Sequence, residues 1–345
     1  MNAGAGLDPA AELRCAFESC ILVDRSDLTR LVATGPDFLG LLHRLSTAAV
    51  GGLAPGTGRA TVLTTPKGRI VERLFVHHLG PEGVAAVAGP ASGRKILEHV
   101  ARFTFAERTE LREVTDETRL LALTGPRAAE ALAAAGLPRP AAYGTAAGTV
   151  GGVGVHVLGH DGDSSHGLSV LAPLDGSAAV DEALARAVAT VSGRRSGRDV
   201  AEAARVLRGV PAAGHELNED HNPLEAGLWD AVDFDKGCYV GQEVVARLRT
   251  YDKVARRIVG LELAPEGELP APGTPLTVEG RAIGELTSAV RLPGAGRAVG
   301  LGYVKRREAQ LPRELRVGSA PGSPLARAVA LPFDRPLSPA YTDGP

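Results

Sequence analysis

The densest reactive chemistry in the chain lies in Asp233-Phe234-Asp235-Lys236-Gly237-Cys238-Tyr239-Val240-Gly241-Gln242-Glu243, where one thiol stands between two glycines and two residues from a lysine. A thiolate can serve as nucleophile, redox centre or soft-metal ligand. Two local features favour it here: the ammonium of Lys236, and a helix N-terminus expected over residues 242–248. Gly241 is read as the cap of that helix, with Glu243 in its first turn and placed to pair with Arg247 four residues on. Gly237 is read as a position of unusual backbone angles or close approach. The competing reading is an inert cysteine buried in a tight turn.

Other constellations are weaker. Cys15 and Cys20 lie five apart, a poor spacing for zinc even with Cys238 added, so no metal is expected. On a strand His77 and His78 would face opposite sides, one at the core edge and one solvated. His156, His160 and His166 with Asp161 and Asp163 surround glycine and serines, which favours an exposed loop over a metal cluster. His215, Glu216 and His221 lie just upstream of the cysteine run; His221 is read as a loop residue within reach of it. The clusters at 194–198 and 305–307 are short charge runs of the kind that face solvent.

These residues must be held by a chain of 345 residues, long enough for two or three lobes. Its formal net charge of −2 offers no global field for nucleic acid, so direct binding of RNA or DNA is not expected. Without an apolar run of membrane length, a basic leader or a disulfide-like cysteine set, the expectation is a protein of the reducing cytoplasm. Periodicity predicts a helix after Gly35-Pro36-Asp37 with Phe38, Leu41, Leu42 and Leu45 on its buried stripe. Strands follow at 59–63 and 70–79, around a Pro66-Lys67-Gly68 turn. A strand, then Thr-Gly-Pro, then a helix occurs at residues 34–36 and again at 124–126, which points to two related α+β halves. Beyond Tyr251, short strands split by Gly and Pro suggest a small β-barrel. The expected organisation is a flexible tail (1–13), an α+β unit of two lobes (14–252), a barrel (253–332) and a Pro-rich tail (333–345).

The run at 236–243 resembles the signature of YgfZ-type proteins, within the superfamily of the glycine cleavage system T protein, a tetrahydrofolate-dependent aminomethyltransferase. Val245-Ala246-Arg247, the stretches 222–228 and 209–211, the turn Lys67-Gly68-Arg69, and the barrel segments 284–288 and 300–304 are similar to the same superfamily. The resemblance implies three lobes around a hole that holds folate, and a role in assembling or repairing iron–sulfur enzymes, with an indirect effect on tRNA modification. On this reading Cys238 is the functional thiol. Glu72, Lys236, Gly237, Tyr239, Gly241, Gln242, Glu243 and Arg247 shape the loop or bind tetrahydrofolate or another ligand; the partners are folate and iron–sulfur client proteins. The alternatives are a one-carbon transferase and a non-catalytic scaffold for a client.

Two departures bear on the choice. Where the T protein carries an acidic pair, this chain has Glu72 and Arg73, and a guanidinium cannot relay a proton. Where the T protein carries a folate-contacting glutamate, this chain has Leu207. Both shift the expectation from aminomethyl transfer toward a role centred on the cysteine.

Overall fold

A computed structural model describes residues 8–160 and 167–333. The chain opens with α1 (Pro9–Glu18) and β1 (Ile21–Asp24). A loose tail through residue 13 is therefore corrected from Pro9 onward. Asp8 caps the helix by accepting from the Ala10 N–H, Pro9 occupies the first turn, and Leu13 and Ala16 are buried.

The first lobe runs β2 (Leu28–Thr34), α2 (Phe38–Leu45), β3 (Gly58–Thr64), β4 (Ile70–His78), β5 (Val84–Pro90), α3 (Gly93–Ala101), β6 (Glu110–Glu113). The second runs β7 (Thr118–Thr124), α4 (Ala128–Ala134), β8 (Thr145–Val150), β9 (Val153–Gly159), β10 (Leu168–Pro173), α5 (Ser177–Thr190), β11 (Arg194–Arg195). The sheet orders are β3-β4-β5-β2-β6 and β8-β9-β10-β7-β1-β11. Element for element the lobes repeat, and the second differs only in taking β1 between β7 and β11. The twin Thr-Gly-Pro motifs close β2 and β7, the equivalent strands.

Each sheet buries one face under its own helices. Phe38, Leu41, Leu42 and Leu45 of α2 pack on Leu31, Leu74 and Val76. Leu132 of α4 and Val180, Leu184 and Val188 of α5 pack on Leu121, Leu123 and Val170. At about 1.5–3 kcal/mol per fully buried side chain, these stripes dominate the stability of each lobe. The other faces meet: Val87 of the first lobe packs with Leu120, Leu158 and Leu171 of the second.

After α6 (Arg198–Arg208) a long irregular segment leads to α7 (Gln242–Thr250). Strands β12 (Arg256–Leu263), β13 (Pro275–Val278), β14 (Arg281–Leu292), β15 (Arg297–Lys305), β16 (Arg313–Val317) and β17 (Leu325–Val329) close a six-stranded barrel. The architecture is thus α+β, two related lobes followed by a β-barrel. No helix among the described residues is long and apolar enough to cross a membrane.

Candidate functional site

Helix α7 begins where its sequence predicts. Its cap is Gly241 at φ +83°, and a Cβ there would lie 2.5 Å from the Thr65 carbonyl oxygen and 3.0 Å from Gly68. The Lys67-Gly68-Arg69 turn and the cysteine run are therefore built against each other. Residues 220–225 join them: the Ile70 N–H donates to His221 O, Arg69 donates to Asp220 O at 2.9 Å and lies 3.7 Å from the Glu225 carboxylate, and Leu224 packs with Val245 of α7. Three motifs far apart in sequence form one assembly.

The cysteine loop is pinned on both flanks. The Asp233 N–H donates to Thr47 O and the Val240 N–H to Arg44 O, while Thr64 Oγ1 donates to Val240 O. Gln242 Nε2 donates to Lys236 O at 3.3 Å and clips the loop closed. Tyr239 is buried, and that burial pushes its hydroxyl up to about 12. Cys238 stands exposed at the apex, which removes the buried inert reading.

Lys236 does not act as expected. Its ammonium donates to His43 O (2.5 Å), Ser46 O (2.8 Å) and Ala48 O (2.9 Å), filling all three donors on carbonyls around the end of α2. Burial pulls its pKa down to about 8, against the attraction of Asp233. It is a helix cap, with no N–H left for the thiol. Gly237 is corrected too: its φ lies outside the left-handed region and a Cβ would meet nothing within 4 Å. Glu243 and Arg247 pair at 2.9 Å as predicted, with both side chains in solvent. Gly241→Ala should cost about 2–4 kcal/mol, from the left-handed backbone and the clash with Thr65, whereas Gly237→Ala should stay within about 0.5 kcal/mol. Urea unfolding of the two variants side by side checks this; equal losses would refute the loop geometry.

Glu72 stands apart from this loop. It is buried on β4, accepting from Ser92 Oγ and from Arg73's own N–H (3.1 Å) and pairing with Lys95 at 3.1 Å. Its neighbour Arg73 turns to the junction between the lobes. There the guanidinium lies 4.8 Å from the Phe75 ring centroid, and Phe75 stacks with Tyr143 at 6.5 Å. Tyr143, at φ +55°, donates to Asp230 at 2.6 Å. The rings of His77 and His160 meet edge to face at 5.7 Å, and burial holds the two histidines down to about 4 and about 3. The sequence reading missed Tyr143 and Asp230; the only local signal was a tyrosine beside glycine in a turn, which marks a turn and not a site. His77 is buried and His78 half-buried, matching their opposite faces. Leu207 packs in an apolar core with Leu13 and Phe333, turned away from any polar ligand.

Among the described residues no group of three or more His, Cys, Asp or Glu stands close enough to hold a metal ion. Asp161, Asp163 and His166 lie outside the described residues. Cys15 is half-buried and Cys20 buried, its thiol pushed up to about 12 by burial.

Duplicated lobes, a closing barrel and a polar junction between the lobes define a three-part architecture. The chain belongs to the glycine cleavage T-protein family: residues 8–236 match the GCVT N-terminal domain and residues 256–334 the glycine cleavage T-protein C-terminal barrel domain. It is 32% identical to a chloroplastic protein of Arabidopsis thaliana that bears the name of a transferase, over 88% of this chain and 69% of that one. It is 30% identical to an aminomethyltransferase of Symbiobacterium thermophilum, over 94% of this chain and 88% of that one. The crystal structure of glycine cleavage system aminomethyltransferase T from Bartonella henselae shares the fold, with a TM-score of 0.79 at 21% identity, over 96% of this chain and 90% of that one.

Proposed function

We propose that the protein is a folate-binding member of this family, of the YgfZ type, which supports the assembly or repair of iron–sulfur enzymes in a reducing compartment and thereby affects tRNA modification. The observation that carries this reading is the exposed Cys238 on a loop pinned at Asp233, Val240 and Gln242, set against a Glu72 whose carboxylate is sealed by Ser92 and Lys95. A thiol presented to solvent on a rigid support suits contact with another protein or a redox partner. A sealed carboxylate beside a guanidinium does not suit proton relay at an amine.

Folate suits the junction in chemistry. Phe75 and Tyr143 offer a flat aromatic wall, and Arg73 offers a cation beside it. Bound folate would supply a one-carbon carrier; the chain's own residues would orient it. Tetrahydrofolate titration by calorimetry tests binding. Cys238→Ala and Cys238→Ser should each abolish complementation of a strain lacking its own YgfZ-type protein, while melting within a few degrees of the parent. Full complementation by the alanine variant would overturn the reading.

The names of the two relatives favour a second reading, a tetrahydrofolate-dependent one-carbon transferase. Robust transfer of an aminomethyl group from a lipoyl carrier protein to tetrahydrofolate would put it first. A client-binding scaffold would instead leave Cys238 alkylating no faster than a free thiol.

A further inference from the structure

We infer that the face running from α7 to the adjoining end of the barrel binds single-stranded RNA. The net charge of −2 conceals a division: residues 242–333 carry 14 Lys and Arg against 9 Asp and Glu, so this part is net +5 and the remainder −7. The excess gathers at one end of the barrel. Arg256 opens β12 directly opposite Lys305 at the close of β15, and Arg306 and Arg307 follow in the next turn. Arg281 at the start of β14 and Arg313 at the start of β16 reach the same end, where both pair with Glu308, at 2.9 and 3.0 Å. Like charges opposed across a strand pair are destabilising, so Arg256 facing Lys305 is a placement that folding alone disfavours. The Arg306 N–H donates to Ala255 O, and its guanidinium bonds Asp252, which joins the end of α7 to the barrel as one surface.

The acids on this face do not neutralise it. Asp252 takes Arg306, Glu243 takes Arg247, and Glu285 lies 3.6 Å from Arg256. Glu308, itself buried, is shared by Arg281, Arg307 and Arg313. Lys305 donates to Ala282 O at 3.1 Å, and the cations of Arg249 and Lys253 lie 4.1 and 5.6 Å from the ring centroids of Phe234 and Tyr251.

Aromatic rings interleave with these cations. Tyr251 is 64% exposed and Trp229 48% exposed, the latter 6.3 Å from Phe234. They stand singly among charges and form no broad apolar patch. The centre of a protein–protein interface is apolar and poor in charge. Interfaces with nucleic acid are more polar and far more positive, and on single strands the bases stack on separate rings while Arg and Lys take the phosphates. The face has the second character. Stacking needs unpaired bases, which RNA loops present and duplexes withhold, and this favours single-stranded RNA.

Fluorescence anisotropy of a labelled oligouridylate of about 12 nucleotides, titrated with the full chain, tests this. Binding should weaken about 10- to 100-fold between about 50 and about 200 mM salt. The double variant Lys305→Gln, Arg307→Gln should bind about 10-fold more weakly and with a flatter salt dependence. The control Arg94→Gln, Arg186→Gln removes the same charge from exposed positions on α3 and α5 and should bind as the parent does. Tyr251→Ala should weaken binding about 5- to 50-fold without changing the salt dependence, because it removes a stacked base and no phosphate contact. An RNA duplex of the same length should bind more weakly than the single strand. The substituted side chains are in solvent, so every variant should melt with the parent. No binding at about 50 mM salt would overturn the proposal, as would equal losses in the two double variants. Polyglutamate held by Lys305 and Arg307, with oligouridylate indifferent to Tyr251, would give the face to an acidic protein and end the proposal. Tighter binding of oligodeoxythymidylate than of oligouridylate would exclude RNA as the ligand.

Discussion

Between pH 7 and pH 5 the protein should lose about 4 kcal/mol of stability, from two histidines alone. His77 and His221 are both almost wholly buried, and burial holds each down to about 4, aided at His221 by the charge of Arg256. The geometry explains the neutral state. His77 Nδ1 lies 3.1 Å from Tyr143 O and so carries the proton, which leaves Nε2 buried without a partner. A second proton would create a buried cation with nothing to bond. His221 stacks on Tyr303 at 3.6 Å between centroids; its Nδ1 makes no hydrogen bond, and the Glu225 and Glu285 carboxylates stand 3.9 and 3.8 Å from its ring nitrogens, beyond hydrogen-bond reach.

The sign follows from which state protonates first. In the unfolded chain these rings take a proton near pH 6.5, and in the folded chain only near 4. Between those values the unfolded state binds more protons, so stability falls as pH falls. The contribution is complete above about pH 7, amounts to a loss of about 2 kcal/mol per ring at pH 5, and stops changing below about pH 4. Domains are stable by only about 5–15 kcal/mol, so this is a large share. Urea unfolding at pH 7 and pH 5 measures it. His221→Phe, which keeps the stack on Tyr303 without a titrating nitrogen, should remove about half of the pH dependence. Equal stability of the parent at both pH values would refute the account.

These histidines show what the sequence could and could not reveal. The pair at 77 and 78 is legible as opposite faces of a strand, because the period of a strand is two. That the ring of His77 would meet His160 across the junction is not, because the contact is made between lobes and depends on how the two sheets pack. The same division runs through the fold. The stripe of α2 and the cap of α7 are local patterns, and both form as read. Strands β16 and β17 are not legible because each carries a single β-branched residue; their partners, not their propensities, make them strands. The expectation for Lys236 failed for a related reason. Proximity to Cys238 in sequence suggests chemistry between them, while the end of α2, nearly two hundred residues earlier, supplies three carbonyls to the ammonium. Arg73 is legible as a lost acid; that it lies over the Phe75 ring at the junction depends on the neighbours.

Glu216→Ala should cost about 3–5 kcal/mol, the second large effect, and should loosen the barrel from the lobes. The carboxylate of Glu216 is fully buried and receives four donors: Arg205 at 3.0 Å, the Ala212 N–H at 3.0 Å, Thr287 Oγ1 at 2.6 Å and Ser288 Oγ at 2.7 Å. Two of these come from barrel strand β14 and one from α6, and Tyr303 of β15 donates to the Glu216 backbone oxygen at 3.0 Å. Removing the acid strands the Ala212 N–H and takes the acceptor from Ser288 Oγ in a buried interface, although Thr287 Oγ1 keeps Leu301 O and Arg205 keeps Glu202. Single changes at Thr287 or Ser288 remove one neutral donor and should cost about 1 kcal/mol each. The effect should travel further. Residues 216–225 rest on the barrel through Tyr303 and His221, the Lys67-Gly68-Arg69 turn rests on residues 220–221, and Gly241 packs on that turn. Amide exchange of Val240, bonded to Arg44 O in the parent, should therefore quicken in Glu216→Ala. Unchanged exchange there, with the barrel loosened, would mean that the cysteine loop is held by the first lobe alone, through Thr47, Arg44 and Thr64, and that the barrel has no part in presenting Cys238.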